Sequence, residues 1–223
     1  MSTTLPAARP TPVAVPRLLV LSDRGQAAAA GSDLVGHARA VGEAGADALV
    51  LREKDLPRAE RRRLAEAVAS ALAGTATRLL VAGDPELATA VGAAGVHLAA
   101  NQPAPSDMPG RLVLRSCHDA GEVARTRRAP VDAAVVSPVA VTTSKPGYGP
   151  ALGRDGLRDL VEVADGLPVL ALGGVTPDDV AAWCHAGAHG VAVMGAVMRA
   201  PDPAAVVRRL RAALTPPGRE DRP

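Results

Sequence analysis

Residues Val169–Ala200 read VLALGGVTPDDVAAWCHAGAHGVAVMGAVMRA, and the fold can be worked out from this stretch. A short apolar run, Val169–Leu172, ends in Gly173-Gly174. Thr176-Pro177-Asp178-Asp179 then predicts a helix start, with a capping residue, a proline at the first helical position and acids in the first turn. Gly187 stops that helix. A second apolar run, Gly190–Met194, ends at Gly195 with another short helix behind it. Two buried parallel strands that each deliver a glycine-bearing loop on one side make a cup of backbone N–H groups suited to a phosphate dianion. In a closed (β/α) barrel this is the phosphate site after strands 7 and 8. Glycines at strand ends also serve plain turns, so this stretch alone leaves both readings open. A side chain at Gly174 or Gly195 is expected to crowd a bound oxygen and to force a backbone conformation that glycine takes easily.

The same alternation extends back through the chain. Strands are expected at Arg17–Leu21, Asp47–Leu51, Arg78–Ala82, Gly95–Leu98, Leu112–Leu114 and Asp132–Val136, with helices at Asp33–Ala44, Pro57–Ala73, Ala120–Arg128 and Leu157–Ala164. A last helix covers Pro203–Leu214. The strands are apolar throughout rather than alternating, as in a parallel sheet covered on both faces. Eight units fit between Arg17 and Leu214, and no G-x-G-x-x-G follows the first strand, so a single (β/α)8 TIM barrel is favoured over a dinucleotide-binding sheet. The expected boundaries are a disordered arm at 1–16, the barrel at 17–214 and a polar tail at 215–223.

Composition narrows the function. A net charge of +2 gives no reason to expect nucleic acid, and the arginine clusters read as solvated helix faces. With no Phe, one Trp (Trp183) and one Tyr (Tyr148), a stacking platform for single strands is excluded. Cys117 and Cys184 lack metal spacing and are too few for a disulfide framework, which implies a reducing compartment. Ala181–Met198 carries no charged residue, yet histidines and glycines interrupt it, so it reads as a buried helix-turn-strand rather than a membrane span. A cytoplasmic protein is expected, and a homo-oligomer is left open.

Polar residues collect at the C-terminal ends of the strands, where barrel active sites sit. Asp23 follows the first strand, Arg52 and Lys54 the second, and Asp84 the third. His97 lies within the fourth, Ser116 and His118 follow the fifth, and Thr142, Thr143, Ser144 and Lys145 follow the sixth. Arg52 and Lys54, two apart on extended backbone, share a face and could grip one phosphate or diphosphate. The loop Thr142–Lys145 adds three hydroxyls and an ammonium for a leaving group that gains charge. Plainer readings exist for each: Arg52–Asp55 as a solvated turn, His97 as a core histidine, Asp84 as a helix cap before Pro85. A Cys117–His118 nucleophile pair is not expected, because adjacent residues at a strand end point apart.

These residues resemble the thiamin phosphate synthase/TenI family along most of Arg17–Ala213. The matching segments are LREKD (Leu51–Asp55), LATAVGAAGVHL (Leu87–Leu98), RSCH (Arg115–His118), SPVAVTTSKPGYGPALG (Ser137–Gly153), ALGGVTPDDV and GVAVMGAV. The resemblance implies a barrel that joins hydroxymethylpyrimidine diphosphate to a thiazole phosphate with release of pyrophosphate. The alternatives are TenI-like tautomerisation of a thiazole carboxylate phosphate and a non-catalytic phosphate-binding barrel. It also implies catalytic roles for Arg52, Lys54 and Lys145. Ser116, Thr142, Ser144, His97, Gly174, Met194 and Gly195 become substrate-binding residues, and Mg²⁺ the cofactor. The departures are specific. Val50 replaces the glutamine of Q-x-R-x-K, Gly83-Asp84 replaces Asn-Asp, Gln102 stands for an expected carboxylate ligand, and Ala140 stands for an aromatic. Asp84 is then the one metal ligand left, and weak Mg²⁺ binding that leans on the substrate's own oxygens is expected. Pro138 takes the place of the TenI histidine, as in synthases.

Overall fold

The computed structural model describes residues 13–141 and 150–215. The chain alternates strand and helix in the order β1 (Leu18–Leu21), α1 (Arg24–Ala29), α2 (Leu34–Glu43), β2 (Ala48–Leu51), α3 (Arg58–Leu72), β3 (Arg78–Ala82), α4 (Pro85–Ala90), β4 (Gly95–Leu98) and β5 (Leu112–Cys117). It continues with α5 (Ala120–Arg127), β6 (Ala133–Val136), α6 (Gly153–Ala164), β7 (Val169–Leu172), α7 (Val180–His185), β8 (Gly190–Val193), α8 (Gly195–Met198) and α9 (Pro203–Leu214). Each strand pairs in parallel with the next, and β8 pairs with β1 through Leu18↔Val191 and Val20↔Val193, which closes the barrel. The (β/α)8 architecture is therefore as expected.

The period of two along each strand divides the core. Leu19, Val50, Leu80, Leu114, Val135 and Leu170 point inward and fill the barrel. Leu18, Leu49, Val81, Val96, Val113 and Val191 point outward beneath the helices. Aliphatic side chains alone fill the interior, because branched residues pack the tapering inner layers without rings. Burying each costs nothing in hydrogen bonds, since parallel pairing satisfies the backbone.

Asp47 fastens the lower end. Its Oδ2 accepts the N–H groups of Arg17 and Leu18 at 2.8 Å each, and its Oδ1 accepts from Arg211 at 2.6 Å. Residues up to Pro16 read as a disordered arm from the sequence. Val13 and Val15 instead pack against the inner core, Pro16 is buried, and Arg78 donates to the Ala14 carbonyl at 2.7 Å. Residues 1–12, 142–149 and 216–223, which include most of the arm and tail, lie outside the described residues.

Local differences have local causes. Helix α1 goes unanticipated because six residues carry no amphipathic repeat, yet Asp23 caps it through the Gln26 N–H at 3.0 Å. Helix α7 begins at Val180, later than Thr176-Pro177 suggests, since Asp179 Oδ1 accepts the Thr176 N–H at 2.9 Å and holds 176–179 as a turn. Strand β5 runs on to Cys117 and so includes Arg115 and Ser116. No helix among the described residues is long and apolar enough to cross a membrane.

Candidate active site at the barrel mouth

A cavity of about 960 Å³ opens at the C-terminal ends of the strands. The inward positions of successive strands end there in Arg52, His97, Ser116 and Met194, one residue pair above the apolar inner core. Strand alternation therefore delivers one polar or cationic group from each of several strands to a common floor.

The β2 end is rigidly built. Ser22 donates to Glu53 Oε1 at 2.7 Å and accepts the Arg52 N–H at 2.9 Å. Arg24 holds Glu53 at 3.0 Å and grips both oxygens of Asp55. Glu53 is only 5% exposed, so the start of the segment Arg52–Asp55 is anchored in the fold, while Lys54 and Asp55 form an exposed turn above it. Its acids face Arg24, and Arg24, Arg52, Glu53, Lys54 and Asp55 all line the cavity. Arg52 reaches past the end of β1, with Nη1 2.7 Å from Met194 Sδ and 3.4 Å from the Ser22 carbonyl. Sequence reading missed Ser22, Arg24 and Glu53, because pairs about thirty residues apart leave no local periodicity.

His97 and Ser116 form the floor, with Nε2 and Oγ 3.0 Å apart. Burial, and then the charges of Lys54 and Arg52, push the imidazole down to about 3, so it is neutral. His97 is thus both buried and part of the cavity wall. His118 sits higher, its Nδ1 2.9 Å from Glu122 Oε2. Cys117 points the other way, into the outer core beside Thr126, and burial pushes its thiol up. The two neighbours do point apart.

Gly173-Gly174 and Met194-Gly195, at the ends of β7 and β8, form another part of the cavity wall. Gly174 has φ +72°, and a Cβ there would meet the Val141 carbonyl oxygen at 2.6 Å and Ala140 Cβ at 2.8 Å. The backbone of 138–141 is laced to this wall, Val139 donating to Leu172 O and Ala140 to Gly173 O, both at 2.9 Å. Glycine at 174 is thus required by the chain's own backbone, not only by an incoming oxygen. Gly195 differs from expectation: its φ lies outside the left-handed region, and the guanidinium of Arg199, bonded to Gln26 Oε1 at 2.8 Å, occupies the space of a Cβ. Thr142, Thr143, Ser144 and Lys145 lie outside the described residues.

The residues at the expected metal positions do not fit Mg²⁺. Asp84 Oδ1 caps α4 through the Leu87 N–H at 2.9 Å, and its Oδ2 faces the buried Arg61 at 3.5 Å. It does not line the cavity, and both of its oxygens are engaged, one in the cap and one with Arg61. Gln102 is a neutral amide spent on Gly83 O and Ala99 N, at 3.0 and 3.4 Å. Among the described residues no three His, Cys, Asp or Glu side chains cluster to hold a metal.

The family model for thiamine monophosphate synthase matches residues 18–197, which span the whole barrel from β1 into α8. The chain belongs to the thiamine monophosphate synthase family. A thiamine-phosphate synthase of Roseiflexus castenholzii is 34% identical over 197 residues, covering 86% of this chain and 85% of that protein. The thiamine biosynthesis bifunctional protein ThiM/ThiE of Symbiobacterium thermophilum is 39% identical over 176 residues; the match covers 77% of this chain but 36% of that longer protein. The thiamine phosphate pyrophosphorylase structure from Pyrococcus furiosus superposes with a TM-score of 0.74 at 26% identity, covering 89% of this chain and 95% of that one. Active sites of (β/α) barrels sit at the C-terminal ends of the strands, which is where the 960 Å³ cavity lies.

Proposed function

We propose that this chain is a transferase of thiamin biosynthesis that joins hydroxymethylpyrimidine diphosphate to a thiazole phosphate. In this reaction the carbon–oxygen bond to the diphosphate breaks and its electron pair leaves with pyrophosphate. The thiazole nitrogen lone pair forms the new carbon–nitrogen bond, giving thiamin phosphate. The exchange of bonds itself transfers no proton, and the released pyrophosphate takes one up from solvent, so the work left to the protein is positioning and charge stabilisation.

The observation that carries this reading is that one cavity holds two kinds of anion-binding group side by side. Arg52 and Lys54 stand at the end of β2, and the glycine turns after β7 and β8 line the same cavity, with Arg52 reaching Met194 past the end of β1. The cations suit a diphosphate whose charge grows as the bond breaks, so they stabilise the transition state more than the bound substrate. Backbone N–H groups of the glycine turns suit the thiazole phosphate. The neutral His97–Ser116 pair beneath offers hydrogen bonds to an uncharged ring without competing for either anion. Lys145, Thr142 and Ser144 join the diphosphate side in this reading, as the family resemblance implies.

Purified protein is to be mixed with both substrates and Mg²⁺, and pyrophosphate and thiamin phosphate measured together. Equal amounts of the two are expected. If neither appears while a thiazole carboxylate phosphate is tautomerised, the isomerase takes the synthase's place. Binding without either product would make the barrel a phosphate sensor.

A further inference from the structure

The corner of the cavity between β2, β3 and the loop after β4 carries the wrong charge for a divalent cation. Lys54 Nζ lies against Gly83: a methyl group added to that glycine would be 3.2 Å from Nζ and 3.4 Å from Gln102 Oε1. Gln102 donates to the Gly83 carbonyl at 3.0 Å, and Arg115, itself buried, holds the Gln102 carbonyl at 2.9 Å. The amide is thus locked from both ends. The nearby carboxylate, Asp84, is turned onto the α4 cap and onto Arg61, whose Nη2 donates to Ala82 O at 2.6 Å. Among the described residues three cations, Lys54, Arg61 and Arg115, meet here with a neutral amide; Asp84 is turned away, and Glu53, whose charge also reaches Arg61, is held by Ser22 and Arg24. Mg²⁺ is ordinarily held by one or two carboxylates plus waters and phosphate oxygens, and it would have to approach an ammonium to enter. An oxyanion, by contrast, meets a positive charge that is already in place.

We propose that Lys54, braced over Gly83 and Gln102, forms a diphosphate subsite that needs no metal ion: the ammonium supplies the charge that a divalent cation would bring. This rests on the transferase reading, and specifies that the pyrophosphate end of the substrate is bound as the free anion. Gln102 is a positioning residue, keeping the loop closed against Gly83 so that Lys54 stays at the corner. No step of the subsite's action routes through Mg²⁺.

The test is calorimetric titration of the full chain with inorganic pyrophosphate, once in EDTA and once with Mg²⁺. Affinity in EDTA is expected to match that with Mg²⁺ to within about threefold. Lys54→Met should lose about tenfold or more in EDTA, as befits one charge-assisted hydrogen bond. Mn²⁺ alone, followed by its paramagnetic resonance signal, should show no bound fraction. Pyrophosphate that binds only when Mg²⁺ is present, an unchanged affinity in Lys54→Met, or a bound Mn²⁺ would each overturn the subsite. Turnover separates this from the wider reading. Thiamin phosphate made with Mg²⁺ but not in EDTA removes the metal-free subsite and leaves the transferase standing, whereas no binding of pyrophosphate under either condition removes both.

Discussion

Ser22 Oγ and Glu53 Oε1 are 2.7 Å apart, and this one hydrogen bond joins the end of β1 to the end of β2 directly beneath the cavity's cations. The same hydroxyl accepts the Arg52 N–H, so the backbone that aims Arg52 and Lys54 is fixed from below. Ser22→Ala takes a donor from a carboxylate that is 5% exposed and an acceptor from the Arg52 amide. The expected cost is about 1–3 kcal/mol, read as a lower urea midpoint with unchanged slope. A variant as stable as wild type would mean that Arg24 alone satisfies Glu53.

His97 makes stability depend on pH in one window. An ordinary imidazole titrates near 6.5, but this one, desolvated and facing Lys54 and Arg52, titrates at about 3. Above 6.5 neither folded nor unfolded chain carries the proton. Below it the unfolded chain takes up a proton that the fold refuses, so stability falls as pH drops from 6.5 toward 3, by up to about 1.4 kcal/mol per pH unit. His97→Asn keeps a polar neighbour for Ser116 and removes the titration. Denaturation curves of the two proteins should converge as pH falls through this window; parallel pH profiles would contradict the burial argument.

Gly174 and Gly195 should respond differently to alanine. At Gly174 a methyl group meets the Val141 carbonyl and a left-handed backbone at once, and neither can move freely. A loss of about 1–3 kcal/mol is expected. At Gly195 only the flexible end of Arg199 must move, so stability should change by less than about 0.5 kcal/mol, with the Arg199–Gln26 bond broken. Thermal midpoints of the two variants test the contrast, and equal losses would refute it.

The two cysteines should be separable by reactivity. Cys117 is fully buried against Thr126 with its thiol pushed up by burial, whereas Cys184 is partly exposed on α7. A thiol reagent should therefore modify Cys184 in the native protein and Cys117 only on unfolding. Equal native rates would place Cys117 in the cavity after all.

The barrel was legible because its rule is local. Apolar runs such as Val169–Leu172 and Gly190–Val193 are hydrophobic on both faces, which only a covered parallel strand can bury, and the capped helices between them leave few ways to connect eight such strands. Arg52, Lys54, His97 and Ser116 could be assigned to one rim for the same reason: each sits at a strand's C-terminal end, and period-two alternation turns it inward. Roles that depend on residues distant in the chain were not legible. Asp84 reads equally as a ligand or a cap until Arg61 and the Leu87 N–H take its oxygens. Gly195 reads as a bare phosphate cup until Arg199 covers it. Glu53 reads as a solvated charge until Ser22 and Arg24, some thirty positions away, bury it. Hydrophobic burial acts on the pattern of a short segment. A hydrogen bond or ion pair instead depends on atoms within about 3 Å, and only the closed barrel brings those atoms together.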